Sequence, residues 1–508
     1  MTFQPAFTRD TRARNLERLR RESFDVLVLG GGINGAGIAR DLALRGLKVA
    51  LVEQRHFASG TSGKNSQLIH GGLRYLKFLQ FHLVRESLRE RATLLGLAPH
   101  LVSPQPFLMP MYGWLSRMFY GTGLWMYDLL AGKRNIGRHR VLSAAEVGAI
   151  EPGLARQGLT HGAIFYDCQI HSARFVLENI WDASRHGAVV VNYAQAERHD
   201  GRVTVTDKVS GESFPLQAEK LVDATGAWAS GENLRLVRGS HIVVPRLTAS
   251  DNAIAYFEDS GRIVFVIPWG SARQLSLVGT TDVDHTNGPD NVHISAEETE
   301  YLLRIVRRLF PSARDTTPIS TFSSLRPLIR AGDSSATAAS REHRIWMAPD
   351  GVVHVAGGKY TTYRAMSEEA ANLISSAPST TAGMPLGGNT KQEIDALLGS
   401  ADDIAVRHSL TAQQVEHLIR DYGVQAPHLL SYLPQSAPPA LTRVECAQIA
   451  FAVEHEMAET LADLMFVSTY WGYELRWTRE SLTPFAEEMA RRLNWDSPRI
   501  SAEIAAFV

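Results

Sequence analysis

The chain has only two cysteines, Cys168 and Cys446, in 508 residues. They lie far apart and outside any C-x-x-C or Cys/His ligand spacing, which excludes a disulfide framework and indicates no metal site. Buried free thiols are expected. Excess charge of either sign is also missing, since 52 Lys and Arg stand against 53 Asp and Glu. A nucleic-acid partner, which would need a basic domain to track phosphates, is therefore not expected. No run approaches the ~18 consecutive apolar residues of a spanning helix. The charged start MTFQPAFTRDTRARNLERLRRES lacks the apolar core of a secretory signal, so a cytoplasmic location is expected. Compositional bias is absent too: 44% hydrophobic and 21% charged residues suit an ordinary globular protein. The length is well past the ~250–300 residues at which one core stops growing, so two or three domains are expected.

What the chain does have is glycine in an ordered setting. In FDVLVLGGGINGAGIARDLALRGLKVALVEQ the apolar run 26–29 suits a buried parallel strand, Gly30, Gly32 and Gly35 fit the G-x-G-x-x-G spacing, and 36–45 has helical periodicity. The first glycine permits a tight turn, the second lets backbone approach a pyrophosphate, and the third allows close packing of helix on strand. A second strand, 47–52, ends at Glu53, where a carboxylate can accept from a ribose 2′-hydroxyl and would repel a 2′-phosphate. A Gly-rich βα turn without ligand is the bland alternative, and the spacing alone does not separate NAD from FAD. The dense stretch that follows, TSGKNSQLIHGGLRYL, favours a flavin.

Beyond this unit, 88–97 reads as helix, and prolines at 99, 104, 106 and 110 mark an exit from the nucleotide domain. Helix 172–185, strand 188–193, a polar hairpin at Asp200-Gly201 and strand 220–225 ending in Gly226 mark the return. From 239 to 328 short β-runs such as HIVVP, RIVFVIPW and LSLVGTTD suit an antiparallel sheet. Strand 352–355, followed by Ala356-Gly357-Gly358, rejoins the nucleotide domain. After a Ser/Pro/Thr/Gly-rich linker at 375–389, helical periods dominate, including 444–466. The expected architecture is a discontinuous α/β Rossmann-like FAD-binding domain (20–100, 160–238 and 340–375), an antiparallel β-sheet substrate domain (101–159 and 239–339) and an all-α C-terminal domain (388–508). The segment 106–130 carries seven of the 42 aromatic residues and only Arg117 and Asp128 as charges. It reads as a core or pocket wall, or as a surface dipping into a lipid interface.

The motifs FDVLVLGGGINGAGIARDLALRG, SQLIHGGLRYL, VDATGAW, RGSHIVVP, FVIPW, VGTTD, LRPLI, SREH and AGGKYTTYR together tile residues 24 to about 372, and VECAQIAFAVEHEMAETLADLM follows. In this order they resemble the FAD-dependent, membrane-associated glycerol-3-phosphate dehydrogenases, which share the D-amino-acid-oxidase-like fold. The resemblance implies oxidation of sn-glycerol 3-phosphate to dihydroxyacetone phosphate, hydride transfer to flavin N5 and electrons passed to a quinone. Peripheral attachment to the inner face of the cell membrane goes with it, and a homodimer is left open. Such chemistry needs a base for the C2 hydroxyl and cations for the phosphate. His241 is expected as the base, against the alternative of a satisfied core histidine. Arg326, a guanidinium in an apolar context, needs an anion, either a structural carboxylate or substrate phosphate. Arg74 and Tyr75 are expected to project toward the same pocket, with Lys359 beside the flavin or on the phosphate. The cofactor set implied is Gly30, Gly32, Ile33, Asn34, Gly35, Glu53, Gln54, Thr61, Ser62, Ser66, Leu68, Ala196, Thr225, Gly226, Gly358, Lys359 and Thr361.

Two departures stand out. Where the family often has an acidic pair, the chain reads Asp167-Cys168-Gln169-Ile170-His171-Ser172-Ala173-Arg174, so an ion pair or cap is expected to be missing. Where the family continues into R-R-T, the chain reads MFVSTYWGYELRW. An oxidase that uses O2, a divergent FAD oxidoreductase with another substrate, a non-catalytic flavin scaffold and an NAD enzyme remain the alternatives.

Overall fold

Apolar strand Ser23–Leu29 pairs in parallel with Val49–Val52 on one side and with Ser213–Asp223 on the other. Val189–Val191 extends the sheet beyond Val49–Val52, and Val352–Gly357 beyond Ser213–Asp223. Numbered along the chain, the five parallel strands therefore lie in the order 3-2-1-4-5. The computed structural model describes residues 7–113, 115–229, 234–258, 261–329 and 342–508, with the side chains of 74, 77, 78 and 115–119 outside that description. Burial on both faces explains the continuous apolar character of these strands. Val26 and Val28 face a core shared with helices Ile33–Leu44, Ser172–Arg185 and Tyr363–Asn372, while Leu27 faces the core capped by Leu19 of helix Arg9–Arg21. The strand order reverses between Ser23–Leu29 and Ser213–Asp223, and ligands of open α/β sheets bind at such a crevice, beyond the carboxyl ends of the strands.

Among the described residues the second sheet has ten strands. At its heart Leu234–Pro245 pairs antiparallel with Ser320–Ile329 and with Leu275–Gly279. The sheet continues through Ile263–Trp269 and Ala253–Phe257 to Val102–Tyr112 and Leu159–Ile170. One pair, Ala253–Phe257 on Val102–Tyr112, is parallel, because the two segments enter the sheet from separate excursions of the chain. Prolines 104, 106 and 110 stop the helical pattern without stopping regular structure, since all three lie within strand Val102–Tyr112. They share one parity, so their missing N–H groups fall on one edge, and the parallel partner meets that strand only at Phe107 and Leu108.

Helices from Lys391–Gly399 to Ser497–Phe507 form the C-terminal part, and several begin at Thr capping boxes legible as T-x-x-E/Q, as at Thr390, Thr411 and Thr442. The helical period expected over 444–466 is interrupted. Helix Arg443–His455 ends where Met457 takes a left-handed φ of 56° and the Ala458 N–H turns back to the Ala452 carbonyl at 3.1 Å. Both cysteines are buried and free. The stretch 167–174 does carry a cap and ion pairs: His171 Nδ1 accepts the Arg174 N–H at 3.4 Å, Asp167 pairs with Arg91 at 2.7 Å, and Arg174 pairs with Glu456 at 2.6 Å.

Candidate functional site

A cleft of about 1110 Å³ starts at the carboxyl ends of the parallel strands and ends on the face of the second sheet. Its first half is built from backbone. Gly30 has φ of 102°, and a Cβ there would stand 2.7 Å from the Ala224 carbonyl oxygen; one on Gly35 would collide with the Gly30 carbonyl. These two absences of side chain let strand, turn and helix close up. Helix Ile33–Leu44 begins at Gly32 with no side-chain cap and no acid in its first turn. That leaves a helix N-terminus facing the cleft, a place that suits a phosphate anion. The Ser62 hydroxyl accepts the Ile33 N–H at 2.9 Å, which ties the loop 61–68 to this turn. Glu53 accepts from the Gly31 N–H at 2.6 Å and the Arg55 N–H at 2.8 Å, and burial raises its pKa above the usual carboxylate range against those two donors. On the opposite flank Thr225 bonds Asp223 at 2.6 Å, and Gly226 turns with φ of 63°. A helix start at a glycine with no acid in its first turn, left-handed glycines and a terminal carboxylate fit a dinucleotide cofactor of the FAD type.

The second half of the cleft carries charge and a ring. His241 lies in strand Leu234–Pro245, 1% exposed, with Nε2 2.8 Å from the Ser66 hydroxyl. Its imidazole stacks on Phe322 at 4.9 Å and 17°, and Nδ1 has no hydrogen-bond partner among the described residues. Burial first, and the Arg326 charge second, push its pKa down to about 3, so the ring is neutral near pH 7. Gly279, paired with His241 across the ladder, makes room for the ring: a Cβ there would land on the imidazole. Gly239 does the same for Arg326. The Arg326 guanidinium donates to Asp282 at 2.9 Å, the Thr281 carbonyl at 3.1 Å and the Thr280 hydroxyl at 2.8 Å. Lys359 Nζ donates to the Ser87 hydroxyl at 3.1 Å and lies 3.9 Å from the centre of the Tyr75 ring.

Of the residues singled out in the sequence, Gly30, Gly32, Ile33, Asn34, Glu53, Gln54, Thr61, Ser62, Ser66, Leu68, Ala196, Thr225 and Gly226 line this one cleft, as do Tyr75, His241, Arg326, Gly358 and Lys359. Two do not line it. Gly35 packs beneath the turn, and Thr361 is 2% exposed with its hydroxyl on the backbone of His70. The side chain of Arg74 lies outside the described residues. Arg326 already has a structural carboxylate, Asp282, one of the two anions its setting required. Sequence reasoning missed Asp282, Ser87 and Phe322. Alternation along Phe322, Ser324 and Arg326 puts these three on one strand face, but the register that sets Phe322 opposite His241 has no local signal.

The model of the family described as FAD dependent oxidoreductase matches residues 25–373, and that of the C-terminal domain of alpha-glycerophosphate oxidase matches residues 379–500. The glycerol-3-phosphate dehydrogenase of Synechocystis sp. is 36% identical over 502 residues, with 89% of each chain covered. That of Mycobacterium leprae is 34% identical over 534 residues, covering 98% of this chain and 89% of its own. Among solved structures, the glycerol-3-phosphate dehydrogenase of Bacillus halodurans complexed with FAD covers 98% of this chain and 96% of its own, with a TM-score of 0.80 at 26% identity.

Proposed function

The chain belongs to the FAD dependent oxidoreductase family, with FAD as its cofactor, and from that premise we propose that it oxidises sn-glycerol 3-phosphate to dihydroxyacetone phosphate with a quinone as electron acceptor. The observation that carries this reading is the pairing, at the far end of the dinucleotide cleft, of a buried neutral imidazole with a guanidinium on the neighbouring strand. Bound FAD supplies the hydride acceptor. Arg326 and Lys359 supply positive charge for the phosphate dianion, a role in which a fixed guanidinium fork is effective. His241 takes the C2 hydroxyl proton at Nε2, whose present neighbour is the Ser66 hydroxyl. Burial is the main cause of the depressed imidazole pKa and the Arg326 charge the lesser one, and a phosphate beside Arg326 offsets only the lesser. The Phe322 stack holds the ring in plane, and the surrounding burial keeps water from it.

Anaerobic titration with glycerol 3-phosphate is expected to bleach the flavin band near ~450 nm, with no bleaching by glycerol. An unbleached spectrum at saturating substrate would overturn the reading. Reoxidation of the bleached enzyme as fast by air as by a ubiquinone or menaquinone analogue would instead favour an oxidase.

Peripheral attachment to the inner face of the cell membrane is part of the same proposal. No helix among the described residues is long and apolar enough to cross a membrane. Helix Leu115–Ala131 buries Leu124 and Tyr127 but leaves Trp125 59% and Leu129 63% exposed, and exposed Leu79 follows the turn Leu73–Phe78 that packs on this helix. Exposed Lys133, Arg134 and Arg138 come next in the chain. An aromatic and apolar face with a basic rim suits anionic headgroups. The double substitution of Trp125→Ser and Leu129→Ser is expected to lower co-sedimentation with phosphatidylglycerol vesicles at least fivefold while turnover with a soluble acceptor dye is kept; unchanged sedimentation would remove this helix from the docking surface.

A further inference from the structure

Among the described residues the His241 imidazole stacks on Phe322 and meets the Ser66 hydroxyl, and both neighbours lead to the same short turn in the C-terminal part of the chain. The approach to that turn is irregular. Helix Leu461–Asp463 widens into a π-turn over Leu464–Ser468, Tyr470 then takes a left-handed φ of 65°, unusual for a bulky aromatic, and the 3-10 turn Trp471–Tyr473 follows. The detour delivers two tyrosines to the back of the cleft. The Tyr473 ring packs, tilted by 52°, at 4.8 Å on Phe322, the ring on which His241 stacks, and the Tyr473 carbonyl accepts from the Ser320 hydroxyl at 2.6 Å on the same strand. The Tyr470 hydroxyl meets the Gly63 carbonyl at 2.9 Å, the Ala173 N–H at 3.0 Å and the Ser172 hydroxyl at 3.0 Å. Its ring is stacked on His171 at 4.1 Å and 9°. Gly63 belongs to the loop that carries Ser66, so Tyr470 holds the hydrogen-bonding neighbour of His241 and Tyr473 holds the stacking one.

We propose that Tyr470 and Tyr473 are positioning residues for the reaction, fixing the His241 imidazole from behind through Ser66 and Phe322 and so making the helical C-terminal region part of the active-site wall. The inference rests on His241 acting as the base. It also gives a use to two oddities of the sequence, His171-Ser172 and the stretch MFVSTYWGYELRW: they meet each other, as a ring stack and a hydroxyl bond between the nucleotide-binding part and the C-terminal part. The charge that acts on the imidazole is that of Arg326, on the strand that carries Phe322 and paired with Asp282, whereas the Tyr470 hydroxyl bonds to Gly63, Ser172 and Ala173 and the Tyr473 hydroxyl has no partner among the described residues. The substrate's charge partners therefore stay in place when the tyrosines are changed, while the ring loses its support and its shelter from water.

The test compares Tyr473→Leu, Tyr473→Phe and Tyr470→Phe in the FAD-loaded full chain, with His241→Gln in parallel. Tyr473→Leu is expected to lower kcat about tenfold, leave KM for glycerol 3-phosphate within about twofold, and move the acid limb of the kcat/KM profile upward, toward the ordinary histidine range of about 6.5. Tyr473→Phe keeps the ring and loses a hydroxyl with no partner among the described residues, so it is expected to match the unsubstituted enzyme. Tyr470→Phe is expected to move kcat and the acid limb in the same direction as Tyr473→Leu. Unchanged kcat and pH profile in Tyr473→Leu, or a loss that merely tracks lost FAD or is shared equally by Tyr473→Phe, overturns the positioning role. A His241→Gln enzyme with full activity overturns the base assignment instead, whatever the tyrosine variants do. If Tyr473→Leu yields no folded protein, Tyr470→Phe decides, since it removes one oxygen atom and keeps the ring.

Discussion

Replacing His241 by glutamine is expected to lower kcat by about 10²–10⁴-fold, the usual worth of a positioned general base, with FAD content unchanged and KM for glycerol 3-phosphate little affected. Glutamine is close to the imidazole in reach and can still meet Ser66, so the cleft keeps its shape while the proton acceptor is gone. The proposed charge partners of the phosphate, Arg326 and Lys359, keep their own contacts to Asp282 and Ser87. The pH dependence follows from the same burial. The folded-state pKa is depressed to about 3, so the neutral form that can accept a proton persists well below the ordinary histidine range and is lost only as pH falls toward that value. Steady-state kinetics with an artificial acceptor between pH 5 and 8 would read both effects. A free-enzyme acid limb near 6.5 assigned to His241 would contradict the burial, and a near-normal kcat in the variant would contradict the role.

Substituting Gly35 by alanine is expected to yield protein that has largely lost its FAD. The new Cβ would run into the Gly30 carbonyl oxygen, which belongs to the backbone of the turn and cannot swing away like a side chain. Either the turn or the start of helix Ile33–Leu44 has to move, at a cost typical of overpacking, about 1–3 kcal/mol. Concentrated on the cofactor cradle, that is about 5- to 150-fold in affinity. Gly96, near the end of helix Phe81–Leu97, has nothing within 4 Å of the same position and serves as the control: Gly96→Ala should keep its flavin and be as stable or more so. Flavin-to-protein absorbance after gel filtration, followed by titration of FAD into apoprotein, measures the difference. Equal flavin content in the two variants would mean that the turn is more compliant than its contacts indicate.

These two sites also mark how far the sequence could be read. The cradle at Gly30, Gly32, Gly35 and Glu53 was legible because each residue acts on its immediate neighbours: a turn, a close approach, a helix start and a strand end all lie within one βαβ unit. The parallel strands near 220 and 352 were legible for a related reason, their apolar runs ending in small residues, and the one near 190 as an apolar run after a helix. Prolines 104, 106 and 110 misled only in part, because proline forbids a donor, not a strand, and the strand Val102–Tyr112 uses one edge sparingly. Helix 444–466 was read too long because the period of its apolar residues continues through the left-handed turn at Met457. The surroundings of His241 were out of reach. Its partners Ser66 and Phe322 come from 175 residues before and 81 residues after it, joined by a register that no local pattern encodes.

The strand order of the parallel sheet has a consequence for how the protein is made. Its fourth strand, Ser213–Asp223, leaves the ribosome about 130 residues before its outer neighbour Val352–Gly357, and at about 5–20 residues per second that is roughly 6–25 s of synthesis. During that interval Leu221–Asp223, which later pair with Val352–His354, present an open edge. The second sheet waits as well, since Val102–Tyr112 meets Ala253–Phe257 only after the chain has passed back through the first sheet. Each sheet is threaded through the making of the other, so the nascent chain cannot bank one finished half before starting the next, and the edge left open in the meantime is where a ribosome-bound chaperone would find its work.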